Sequence, residues 1–253
     1  LTRDGQWLRA KAFPLMKAVA DFWVSRVTRN DDGSYSICNV VGADEYANGV
    51  DDNAFTNGAA IRALEYACEA AKICNEPVPE IWEEVGKGIR ILRFKDGVTR
   101  EHATYNGEMI KQADVNLLGY PLYFVGDAEW QKKDMEYYVD KIDPQNGPAM
   151  SYSVFCVQYA RMGDAKRAYE MFCRCYQPNL RAPFGVLAET PTSDNPYFMT
   201  GAGGLLQAVI NGFCGLQITD GGVEQLSSVL PAHWKKVTVK GVGPEKKMYT
   251  RER

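Results

Sequence analysis

Helical periodicity, cut into short lengths by proline and glycine, constrains this chain more than any other feature. Between residues 9 and 27 apolar positions recur at Phe13, Met16, Val19, Ala20, Trp23 and Val27, the spacing of a helix with one buried face. Pro14 falls in its first turn, where a missing N–H costs little. A second helix is expected from a cap at Thr56 or Asn57 to about Ile73. Its small-residue face (Ala60, Ala63, Leu64, Ala67, Cys68, Ala71) suits close packing on another helix. Pro77 and Pro79 interrupt, and Ile81, Trp82, Val85, Ile89 and Leu92 mark a third helix. Further helices are expected over roughly 113–125, 130–142, 149–162, 164–176 and 204–212. Tyr35 to Val41 reads as a short strand, and Val237, Val239 and Val242 as a strand entering something beyond this chain. The pattern is all-α, about eight helices on mostly short links that make neighbours antiparallel.

The 253 residues carry a net charge of −3 and are 45% hydrophobic and 24% charged, enough for one large globular domain. That balance gives no basic footprint for nucleic acid. The apolar runs fall far short of the roughly 18–20 residues of a membrane helix. Leu1, not Met, opens the sequence, which reads as a processed or truncated product. Cysteines stand at 38, 68, 74, 156, 173, 175 and 214 in apolar helical settings and read as free thiols. Free thiols lean towards a reducing compartment, although a bacterial periplasmic location is also compatible. With only His102 and His233 as imidazoles, neither a metal nor a cofactor is implied.

Asn39 to Asn57 reads NVVGADEYANGVDDNAFTN, with Asp44, Glu45, Asp51 and Asp52 among small and apolar residues. Val40, Val41, Val50 and Phe55 suggest a loop packed down on something, its carboxylates aimed into a cleft. A desolvated carboxyl holds its proton towards neutral pH and can act as a general acid. The spacing does not fit an EF-hand, which needs ligands at every second residue and a terminal Glu. On the residues alone, a general acid and a plain acidic loop both stay open.

GADEYANGVDDNAFTN resembles the signature of glycoside hydrolase family 65, inverting α-glucoside phosphorylases and hydrolases. The resemblance recurs at Lys111–Gln112–Ala113–Asp114–Val115 and from Gly147 to Gly215, so it covers most of the chain. It implies that Glu45, the glutamate of the DEY triplet, is the general acid. It also implies an (α/α)6 toroid of the six-hairpin glycosidase type. Residues 1–230 would supply the later part of that barrel, and 231–253 a linker and the first strand or strands of a C-terminal β-sheet domain.

Inversion needs a second carboxyl, about 6.5–9.5 Å from the acid, to activate water on the opposite face of the sugar. Glu189 follows the apolar approach Phe184, Val186, Leu187, Ala188, with Asp194 as the neighbouring competitor. GPAMSYSVFCVQYARMGDAKRA, APFGVLAET and FMTGAGGLLQAVINGFCG resemble the hydrolytic branch of the family and imply Glu189 as the base. Lys111 and Gln112 read either as the solvated start of a helix or, by the resemblance, as side chains that bind glucose hydroxyls. Asp44, Tyr46, His102 and Tyr105 are further substrate-binding candidates. No histidine lies between 103 and 232, and an ionised Glu189 would repel a phosphate dianion, so hydrolysis is preferred over phosphorolysis.

The expected activity is release of glucose from an α-linked disaccharide or glycan end, kojibiose first, with trehalose or nigerose behind it. A phosphorylase and a non-catalytic carbohydrate-binding toroid remain the alternatives. The second has a specific basis, since the family's sugar site also uses a Trp-Asp pair and none occurs here. An isolated fragment is expected to have weak activity and to expose an apolar helix face.

Overall fold

The computed structural model describes residues 2–195 and 197–253. They fall into two compact units. The first comprises Arg3–Glu108 and Leu117–Asp134; the second comprises Met109–Asn116 and Met135–Arg253, with Thr2. Among the described residues the regular structure is mostly helix, with four two-stranded antiparallel sheets. Among the described residues no helix is long and apolar enough to cross a membrane.

In the first unit, Asp4 caps α1 (Gly5–Trp7) by accepting from the N–H groups of Gln6 and Trp7. The helix widens to π geometry over Leu8–Ala12 and continues as α2 (Phe13–Arg26). Pro14 lacks an N–H, and the wider turn just ahead of it accommodates the missing bond. β1 (Thr28–Arg29) pairs with β2 (Tyr35–Ser36). α3 runs over Ala54–Cys74, and its cap is Asn53, not Thr56 or Asn57. The Asn53 side chain accepts from both the N–H and the hydroxyl of Thr56. α3 ends on Asn75 in the left-handed region, φ 58°, with Pro77 beyond it. α4 spans Glu80–Gly88.

The core of this unit gathers Ala20, Tyr35, Ile37, Ala60, Ile61, Leu64, Ala67, Trp82, Val85 and Ile89. The small face of α3 meets α2 and α4 there, as the alanine spacing implies. Leu15, Val19 and Phe22, at helical spacing along α2, are instead exposed as an apolar stripe.

Residues 113–125 do not form the expected helix. Only Val115–Leu118 coils, as a 3-10 turn, and Gly119, Pro121 and Gly126 stop it from propagating. α5 covers Ala128–Tyr138. Its Asp134 is buried and accepts from both the N–H and the hydroxyl of Thr99, each at 2.7 Å. Trp130 donates its indole N–H to the same hydroxyl, and Arg93 lies over the Trp130 ring.

Burial pushes the Asp134 carboxyl up to about 6, although Thr99, Arg93 and Trp130 favour its charged form. The folded state therefore holds the proton more tightly than the unfolded chain. Stability is gained as pH falls through about 6 and is complete near the ordinary carboxyl value of about 4. Relative to Asp134→Asn, the native chain is expected to gain about 1 kcal/mol between about pH 7 and 5. Urea titrations at the two pH values measure it, and equal gains in both proteins would refute it.

In the second unit, α6 (Met150–Arg161) is buried from Ser151 through Ala160. α7 (Ala165–Arg174) is capped by Asp164, which accepts from the Arg167 N–H. α8 (Met199–Gln207) passes into a π segment, Ala208–Phe213. Gly204 lets α8 approach α6, because a Cβ there would lie 2.5 Å from Ser153 Oγ. β3 (Leu180–Arg181) and β4 (Val186–Leu187) form one hairpin. β5 (Leu216–Thr219) and β6 (Gly222–Gln225) form another, and β7 (Lys236–Val242) and β8 (Lys247–Glu252) a third. The tail strand expected to lead elsewhere thus pairs within the chain. All seven cysteines are free, and Cys175 is buried while Cys173 is partly exposed, as two residues on different helix faces should be.

Candidate active site

The acidic loop belongs to the first unit, and the structure sorts its four carboxylates. Val40 and Val50 form an antiparallel bridge, with N–H···O distances of 2.9 and 3.0 Å in the two directions, and close the loop between them. Asp51 and Asp52 hold its base. Asp51 Oδ1 accepts from the Asn39 N–H at 2.8 Å, and the Asp51 carbonyl accepts from Ala103. Asp52 is 1% exposed, accepts from Ser36 Oγ at 3.1 Å and forms an ion pair with Arg90.

Asp44 and Glu45 lie further out on the loop. Asp44 is buried, and its Oδ1 accepts from the Tyr46 N–H at 3.2 Å, which tightens the turn. Glu45 and Tyr46 are exposed at the loop's tip. The desolvation expected for Glu45 is therefore found at its neighbour Asp44.

His102 and Tyr105 lie on a loop tied to the same base, where Ala54 N–H donates to the Glu101 carbonyl at 2.7 Å. His102 is half-buried, with Thr104 Oγ1 3.2 Å from its Nδ1. Burial pushes its pKa below the ordinary imidazole value, Glu108 and Asp44 pull it up, and Arg100 pulls it down. Burial thus favours the neutral imidazole, which can both donate and accept. Tyr105 is buried, its hydroxyl donating to the Glu108 carbonyl at 2.8 Å, with its ring edge-on to His102. It braces His102 from behind.

The second unit brings Lys111, Gln112 and Glu189 into one neighbourhood. Ile110 forms a parallel bridge with Ile142, and Ala113 N–H donates to Ser151 Oγ at 3.1 Å, so both ends of Lys111–Gln112 are fixed. Gly147 closes over this segment. A Cβ there would stand 2.3 Å from the Asp143 carbonyl oxygen and 3.1 Å from that of Lys111, so no larger residue fits. Glu189 is half-exposed, with Oε1 3.8 Å from Lys111 Nζ. Its carbonyl accepts from Ala149 N–H at 3.2 Å and Asn179 Nδ2 at 3.0 Å. Asp194, the competing acid, is almost fully exposed and pairs with Arg181.

Glu45 and Glu189 belong to different compact units. Asn179, Arg181, Asp134 and Thr99 have no part in the sequence reading. Their partners are mostly backbone groups or distant side chains, which leave no local pattern. An apolar cavity of about 330 Å³, lined by Tyr176, Leu180, Leu187, Phe198 and Leu205 among others, contains none of the candidate site residues. Among the described residues no three His, Cys, Asp or Glu side chains gather as a metal would require.

Residues 1–90 match the glycosyl hydrolase family 65 central catalytic domain. The chain belongs to glycoside hydrolase family 65. It is 50% identical over 249 residues to a kojibiose hydrolase of Mucilaginibacter mallensis, covering 98% of this chain and 37% of that protein. It is 49% identical over 250 residues to the kojibiose hydrolase of Flavobacterium johnsoniae, with the same two coverages. Against the protein-glucosylgalactosylhydroxylysine glucosidase of Danio rerio it is 38% identical over 251 residues, 96% of this chain and 37% of that one. The chain thus spans little more than a third of the length of these relatives. A solved structure from the human microbiome, assigned as a kojibiose phosphorylase, superposes on 94% of this chain and 40% of its own with a TM-score of 0.70. At 18% identity that likeness gives the fold alone.

Proposed function

We propose that this chain forms part of an inverting α-glucoside hydrolase acting on kojibiose or a similar α-linked glucosyl end. Glu45 donates a proton to the leaving glycosidic oxygen. Glu189 takes a proton from a water that attacks C1 from the opposite face, so glucose leaves as the β-anomer. Lys111 and Gln112 bind glucose hydroxyls. Asp44, Tyr46 and His102 border the acid, with Tyr105 behind them. The observation that carries the reading is the 50% identity to a kojibiose hydrolase along nearly all of this chain.

The same reading assigns residues 1–230 to part of an (α/α)6 toroid and 231–253 to the start of a β-sheet domain. The exposed Leu15–Val19–Phe22 stripe on α2 supports it, since further toroid helices would cover that face. The test uses the longest polypeptide that carries these residues, incubated with kojibiose, nigerose, trehalose and maltose, with and without phosphate. Early NMR spectra are expected to show β-glucose without phosphate. β-Glucose 1-phosphate formed only with phosphate would establish a phosphorylase instead. No product from any of the four sugars would favour a carbohydrate-binding role.

A further inference from the structure

We propose that Arg181 positions the general base, holding the backbone around Glu189 without touching substrate. The inference rests on the reading of Glu189 as base. Asn179 and Arg181, two residues apart at the start of the β3–β4 hairpin, grip the returning chain from both sides of Glu189. Asn179 is 1% exposed and donates Nδ2 to the carbonyls of Ala188 and Glu189 at 3.1 and 3.0 Å.

Arg181 grips the other side. Its Nη2 reaches the carbonyls of Thr190, Pro191 and Ser193 at 3.2, 2.8 and 2.7 Å. Its Nη1 reaches those of Pro178 and Leu180, each at 3.1 Å. One planar fork thus ties the outgoing strand to the segment that follows Glu189. Only a guanidinium offers five donors in a fixed plane; an ammonium of equal charge cannot span these carbonyls. The ion pair with Asp194 at 3.3 Å is secondary, because Asp194 is 98% exposed and its charge is screened.

A fixed backbone matters for a base that has to meet one water. A displacement of about 1 Å can cost a catalytic group about 100-fold. The test is Arg181→Lys in the longest polypeptide carrying these residues, assayed on kojibiose and on α-glucosyl fluoride. Fluoride leaves without protonation, so its hydrolysis needs the base and not the acid. Rates are normalised to active sites titrated with a tight-binding inhibitor, which removes any loss through misfolding.

Arg181→Lys is expected to lower kcat about 10- to 100-fold on both substrates. KM should stay within about twofold, because no group that binds the sugar is removed. Asp194→Asn should behave as wild type. Wild-type kcat in Arg181→Lys while Glu189→Gln is inactive would overturn the proposal, as would a loss confined to kojibiose. Activity in Glu189→Gln on the fluoride would instead remove Glu189 as base. If Arg181→Lys fails to fold, Asn179→Ser carries the same test from the other side of Glu189.

Discussion

Glu189→Gln is expected to lower kcat by about three orders of magnitude on kojibiose and on α-glucosyl fluoride alike. Glutamine keeps the shape and leaves the backbone clamp in place, since Asn179 and the Ala149 N–H bind the Glu189 carbonyl, not its side chain. What disappears is the acceptor for the water's proton, together with the negative partner of Lys111 at 3.8 Å. Glu45→Gln should behave differently, losing kojibiose hydrolysis while sparing the fluoride, whose leaving group needs no proton. The pair of variants separates base from acid without any structural assumption. More than a tenth of wild-type fluoride hydrolysis in Glu189→Gln would remove it from the mechanism and reopen the choice of base.

The helix after the acidic loop is legible because its alanine face repeats at helical spacing, and Ala60, Ala67 and Ala71 of that face are buried. Its cap, Asn53, lies three or four residues before the expected Thr56 or Asn57, since all three are capping types and Asn53 and Thr56 bond to each other. Segment 113–125 misled because Val115, Leu118 and Val125 are all buried. A chain buried on all sides has an apolar run without periodicity, and such a run does not distinguish a helix from a packed loop. Asp220–Gly221 is a turn signal in the sequence, and β5 and β6 flank it.

At the site, the carboxylate-rich stretch stood out, but its composition could not divide the labour among its acids. That division depends on residues far along the chain. Arg90 pairs with Asp52, the Asn39 N–H donates to Asp51, and Asp44 is buried where Glu45 is exposed. The Arg181 clamp was invisible for a related reason, because backbone carbonyls have no sequence signature.

Arg90→Met is the substitution expected to cost the fold most. The Arg90 guanidinium bonds to Asp52 and to Ser36 Oγ, while its backbone carbonyl accepts from Asn57 Nδ2 at 2.7 Å. The Asp52 N–H in turn donates to the Ile37 carbonyl. This node joins β2, the end of the acidic loop, the first turn of α3 and the segment after α4. Methionine preserves the apolar stem but leaves Asp52, at 1% exposure, with a buried charge that has lost its counter-ion. Breaking a buried pair from one side costs about 3–5 kcal/mol. Arg90 is about one-third exposed, so the lower end applies, about 3 kcal/mol or roughly 6–12 °C in melting temperature. Asp52→Asn combined with Arg90→Met should recover part of the loss, because the stranded charge is then gone. Calorimetry of the three variants measures both effects. A loss under about 1 kcal/mol in Arg90→Met, or a double variant no better than the single, would mean that solvent already screens this pair and that the loop carrying Glu45 is held mainly by its backbone bridge at Val40 and Val50.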